Sequence, residues 1–231
     1  MSRNAERDLR EKLRLESQFI SNLGRILRNP VEFQRRNLEQ FLVGHYNRTY
    51  DSFSRNYQDR KEIRMPKFQR LTMKDYVQHE FENRANRQAS LISENSKKIW
   101  NKIQQMDLSN QEKLNMFQFR MGVRSVTISA TETEWASEHT KLREVQFLQG
   151  GISNSSGTKR WDVIGDNRMR DHHAFAKGQT VNLDEPFTVD NEYLLYPGDP
   201  SLGASAGNIV NCRCSVFYSV DSAELTRISQ L

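Results

Sequence analysis

Gly150-Gly151 and the Ser153-Asn154-Ser155-Ser156-Gly157 run that follows split the chain into two stretches of different folding character. Residues 1–149 contain three glycines and two prolines, and their apolar residues recur at three- and four-residue intervals. That pattern specifies amphipathic helices. After Gly157 the chain carries turn formers and β-branched or aromatic runs, which favour short extended segments. The expected fold class is α+β: an elongated helical assembly region over 1–150, then a small α+β domain with short strands over 157–231. With 231 residues, one large domain or two modest ones are expected.

The first stretch reads as successive helices. Leu9, Leu13, Glu16, Ile20, Leu23 and Leu27 place one stripe on a helix over 4–28, which Asn29-Pro30 should stop. A second helix, from Val31 to Phe53, carries Leu38, Leu42, Tyr46, Tyr50 and Phe53 on one side. Residues 55–66 lack a pattern and read as a loop. Thr72 with Asp75 resembles a helix start, and the helical pattern continues to Met106. Ser109 and Glu112 form a capping box. The helix they open is expected to stop at Gly122, with another over 125–148 holding Trp135. In the second stretch, 160–164, 180–183 and 214–220 read as strands, 171–176 as a helical turn, and 222–228 as a terminal helix.

Composition excludes several classes. No apolar run approaches the roughly 18 residues of a membrane span, and Met1–Arg7 has no apolar segment behind its charges, so neither a membrane protein nor a signal peptide is expected. Two cysteines one residue apart cannot form a disulfide framework, which makes a reducing compartment the default. The net charge of +5 is uneven: residues 1–128 hold 25 Lys and Arg against 15 Asp and Glu, while 129–231 hold 9 against 14. A basic first half implies an anionic partner, and Arg84, Arg87, Lys97, Lys98 and Lys102 on the third helix are its candidate DNA contacts. Solvation of the helices is the competing use of the same charge.

The chemistry-bearing residues gather late. His173, Cys212 and Cys214 supply three zinc-type ligands, one short of a closed tetrahedral site. A thiol nucleophile beside His173, or His173 with Arg168 or Arg170 acting on phosphate, are the enzyme readings. No phosphate loop, serine elbow or paired metalloprotease histidines occur. Pro197-Gly198 before Asp199-Pro200 specifies a sharp turn. Cys212 and Cys214 would face inward together from one strand, and Arg168 and Arg213 can fork onto Asp166 or Asp199.

Taken in order, Trp161, Asp166-x-Arg168-x-Arg170-x-x-His173, Gly178, Glu185-x-Phe187, Tyr196-Pro197-Gly198-Asp199-Pro200 and Asn211-Cys212-Arg213-Cys214 resemble the phage Mu F-like head-morphogenesis family over about 125–218. The resemblance implies a minor structural protein of a tailed bacteriophage head. It would associate with the portal vertex, act in head morphogenesis or in DNA packaging or delivery, and have no catalytic residues. The implied partners are the portal or other head proteins, in several copies per virion, with genomic DNA on the basic half and no membrane. The location is the virion, with assembly in the host cytoplasm. A virion-packaged nuclease or toxin-like transferase is the rival. Where this chain has Arg170 and His173, many relatives carry a Cys-x-x-Cys, and Asn208-Ile209-Val210 stands where they carry a histidine. The expectation is therefore a chain without a cofactor, with zinc on His173, Cys212 and Cys214 as the minority alternative.

Overall fold

The computed structural model describes the backbone of residues 3–28, 35–61, 67–148, 157–165 and 169–219. The class is α+β. Four long helices come first: α1 (Arg3–Arg28), α2 (Arg35–Lys61), α3 (Lys67–Gln104) and α4 (Asn110–Leu148). Short elements follow: β1 (Thr158–Asp162), α5 (Asp171–Phe175), β2 (Thr180–Asn182), β3 (Phe187–Val189), β4 (Glu192–Leu194), α6 (Ala206–Ile209) and β5 (Ser215–Ser219).

Helix α4 is the axis of the fold. The other three helices pack on it, and the capping box opens it as the sequence predicts. The Ser109 N–H donates to Glu112 Oε2 at 2.9 Å, and the Glu112 N–H donates to Ser109 Oγ at 3.3 Å, so two donors at the helix start are satisfied reciprocally. Gly122 does not stop the helix, which runs on from Asn110 to Leu148. A Cβ there would approach the Arg28 guanidinium to 3.1 Å, so the Arg28 side chain at the end of α1 lies against α4 at this glycine. Stripes on the flanking helices bury as expected on α2, where Leu38, Leu42, Tyr46, Tyr50 and Phe53 are all in the core.

Three further helical expectations are corrected. On α1 the buried face is Asp8, Lys12, Leu15, Phe19, Leu23 and Leu27, while Leu13 is exposed. The apolar spacing misplaced the face because two of its members are charged. Helix α2 continues to Lys61, through residues expected to form a loop. Thr72 lies inside α3 and does not mark its start, since that helix already begins at Lys67. The linker over 150–156 and the terminal helix over 222–228 lie outside the described residues.

The strands form two small antiparallel sheets. One has the order β2-β1-β5, with Arg160 opposite both Thr180 and Phe217. The other is the β3–β4 hairpin, which the sequence reading missed. Its two-residue turn, Asp190-Asn191, has φ of 50° and 60°. Positive φ at both positions is the primed turn that matches strand twist, and Asp and Asn tolerate it best among residues with a side chain. Trp161, Phe187, Leu183, Leu194 and Val216 join the helical residues in one continuous core.

Candidate functional site

The second half of α4 is polar in sequence yet enclosed: every residue from Thr131 to Leu142 is buried. Burying charge is unfavourable unless each group is paired and hydrogen-bonded, and the surrounding elements supply the partners. Arg84 of α3 forks onto Glu132 through Nε at 2.8 Å and a terminal nitrogen at 3.0 Å, and lies 4.3 Å over the Trp135 ring. The Tyr46 hydroxyl donates to the same carboxylate at 2.5 Å. Lys12 bridges Glu134 and Glu138, each at 2.8 Å. Burial alone would lower the Lys12 pKa, but the two carboxylates outweigh it and hold the ammonium above its ordinary range. Lys141 adds Asp8 and the Ser215 hydroxyl. His139 joins Tyr196 at 2.8 Å to Glu80 at 2.8 Å, and burial pushes its pKa down against the pull of Glu80.

This network fastens the late motif to the helices. The Val216 N–H donates to Glu138 Oε2, Lys12 Nζ donates to the Cys214 carbonyl, and the Asn211 N–H donates to Thr131 Oγ1. The turn at Tyr196–Asp199 closes with a 3.1 Å bond from the Asp199 N–H to the Tyr196 carbonyl, and Gly198 has φ +81°. Pro at the second position and a positive-φ Gly at the third make it a type II turn. A Cβ on Gly198 would also meet Glu134 Cγ at 3.4 Å, so the turn sits directly on α4. Asp199, fully buried, accepts from the N–H groups of Leu195 and Ser201 and from the Ser201 hydroxyl.

The structure brings His173, Cys212 and Cys214 together and buries all three. His173 stands on α5, edge-on to Trp161 of β1 with ring centroids 6.0 Å apart. Its Nδ1 lies 3.3 Å from Cys214 Sγ and 3.6 Å from Cys212 Sγ, and its Nε2 lies 3.2 Å from Asn208 Oδ1 on α6. The cysteines precede β5 instead of sharing a strand, because Asn211 takes φ 54° and turns the chain just before them. Asn is among the few non-glycine residues that accept that conformation readily. Burial and the Cys212–Cys214 contact push the Cys212 thiol up, the contact with Cys214 being the larger effect. A cavity of about 20 Å³ opens beside the cluster, between Met169, Arg170 and Asn211. The Arg170 guanidinium donates to the Val210 carbonyl.

Among the other residues singled out in the sequence, Asp166 and Arg168 lie outside the described residues. Arg213 lines the cavity and its charge reaches Glu16 of α1. Arg84 is not a DNA contact: it is 3% exposed and committed to Glu132, whereas Arg87, Lys97, Lys98 and Lys102 are exposed. Sequence reasoning missed Asn208 and the buried charges of α4. The signal was present at Glu134, Glu138 and Lys141, which recur on one helical face, but a charged face ordinarily means solvent. A groove of about 750 Å³ also runs between α3, α4 and the Tyr196 turn.

A family model described as "Phage Mu protein F like protein" matches residues 84–217. No curated protein and no solved structure matches the chain. The matched span starts at Arg84, the partner of Glu132, so it takes in both sides of the buried pair.

Proposed function

Because the chain belongs to the phage Mu protein F like family, a family of bacteriophage head morphogenesis, we propose that it is a minor structural protein of the head. In this reading it sits at the portal vertex, in several copies, and serves head assembly or DNA packaging and delivery. The family match over 84–217 is the observation that carries the proposal. The use of the motif residues supports it: the Asp199 carboxylate accepts from the Leu195 and Ser201 N–H groups, the Arg170 guanidinium donates to the Val210 carbonyl, and the Asn211 N–H is held by Thr131 of α4.

The surface supports a protein partner. On the first half of α4, Phe119, Val123 and Val126 are 72%, 56% and 52% exposed. Their spacing puts them on one helical face. Among the described residues no helix is long and apolar enough to cross a membrane, so the stripe is read as a face for a neighbouring head protein. The test is complementation of a phage lacking this chain with Phe119→Asp/Val123→Asp, alongside the unaltered chain. The unaltered protein should be found in purified heads and cross-link to the portal. The variant should fold but be absent from heads. Absence of the unaltered protein from purified particles would sink the structural reading, and wild-type incorporation of the variant would remove the docking role of the stripe.

A further inference from the structure

We infer that His173, Cys212 and Cys214 form a zinc site with one open position, occupied by a water in the adjoining cavity. The three ligand atoms come from α5 and from the turn before β5, and all lie within 4.8 Å of one another. A tetrahedral zinc with Zn–N of about 2.1 Å and Zn–S of about 2.3 Å separates its nitrogen and sulfur ligands by about 3.6 Å. The observed nitrogen–sulfur separations of 3.3 and 3.6 Å are close to two edges of such a tetrahedron.

The hydrogen bonds around His173 fix which ring nitrogen faces the sulfurs with a free lone pair. Asn208 Nδ2 donates to the Val189 carbonyl at 3.2 Å and to Glu192 Oε2 at 2.7 Å, which uses both of its hydrogens. Its Oδ1 is therefore the atom that faces His173 Nε2, and an acceptor there requires the proton on Nε2. In the neutral ring the free lone pair is then on Nδ1, which points at both thiols. Orientation of a ligating histidine by an acceptor on its far nitrogen is the usual outer partner of a protein zinc site. Asn208 is itself 2% exposed, so this orientation is built into the core.

The fourth position follows from the cavity. At about 20 Å³ it exceeds the roughly 10–15 Å³ that one water needs, and it is lined by polar and apolar groups together. Charge also balances. Zinc enters as two thiol protons leave, so the site remains neutral and needs no further carboxylate beside Arg170 and Arg213. The bound ion would clamp α5 to the start of β5 across a part of the molecule where strands are only three to five residues long.

The experiment uses the full chain, reduced and freed of metal with a chelator, and titrated with Co²⁺ and then Zn²⁺. One equivalent of Co²⁺ should produce the ligand-field bands of a tetrahedral site and a thiolate-to-cobalt charge-transfer band, and Zn²⁺ should erase both. Asn208→Ala, a positioning variant, should keep the spectrum and weaken metal affinity by about 10–100-fold. Cys212→Ser/Cys214→Ser should lose the charge-transfer band. Buried variants can fail to fold, so alkylation of the unaltered protein in mild denaturant gives a second reading: zinc should slow modification of both cysteines. No tetrahedral spectrum, a charge-transfer band that survives in the double serine variant, or thiol reactivity indifferent to zinc would each overturn the site. Because the assay needs no virion, its failure leaves the head assignment untouched.

Discussion

Glu132 carries two obligations at once, the Arg84 fork and the Tyr46 hydroxyl, and Arg84 in turn lies over Trp135. Removing one member of a buried pair leaves an unpaired charge, which costs about 3–5 kcal/mol, whereas replacing both members with apolar groups is often nearly neutral. Glu132→Ala should therefore lower unfolding stability by about that amount in urea titrations, while Arg84→Met/Glu132→Leu should recover most of the loss. A single variant costing under about 1 kcal/mol would show the pair to be solvated. His45 gives a second residue-scale prediction. Its ring is stacked on Phe19 at 3.9 Å, and its Nε2 lies 2.9 Å from Thr133 Oγ1. Burial, with help from Arg48, depresses its pKa from 6.5 to about 3. Between those values the unfolded chain binds a proton that the folded chain refuses, so stability is full above pH 6.5 and falls on acidification. The loss should reach about 1.4 kcal/mol per pH unit inside the window. His139, also depressed by burial, adds a slope of the same sign, so the measurement is a difference: urea midpoints of His45→Gln should decline less steeply than those of the unaltered chain between pH 6 and 4. Parallel pH profiles would refute the assignment.

Elements were legible where a local rule decides them. The capping box at Ser109 and the stripe on α2 need only nearest neighbours along a helix, and both stand as read. Ser109→Ala should cost about 1 kcal/mol in thermal or chemical unfolding, since it removes the cap of the helix on which all others pack; no change would mean that the α4 start frays without consequence. What the sequence hid was set by tertiary contact. Gly122 reads as a stop in isolation but serves a close approach by Arg28. The β3–β4 hairpin depends on Asp190-Asn191, a weaker turn signal than a glycine pair. The charged face of α1 turned inward because α4 offers Glu134 and Glu138 to Lys12. For the candidate site, residue types named the cluster, but the turn at Asn211 and the partner Asn208 became visible only in three dimensions.

At the scale of the molecule, the basic excess of residues 1–128 divides into charges spent inside and charges left outside. Lys12 and Arg84 are internal counterions, which removes them from any DNA surface. Arg87, Lys97, Lys98 and Lys102 remain exposed along α3, with Glu94 exposed among them. We propose that this face contacts genomic DNA without sequence preference, against the alternative that it docks on an acidic surface of a head protein. Phosphate contacts release counterions, so log affinity falls with log salt by about 0.9 per contact on duplex DNA. The full chain is the right reagent, because a cut near residue 128 would sever α4 and strip Glu132, Glu134 and Glu138 from their partners. Binding to random duplex should be weak and salt-sensitive. Alanine at all four positions should flatten the slope by about 3–4 units while leaving the fold intact, as surface charges contribute little to stability. An unchanged slope, or no binding by the unaltered chain at low salt, would reject DNA contact and leave protein docking as the use of the exposed charge.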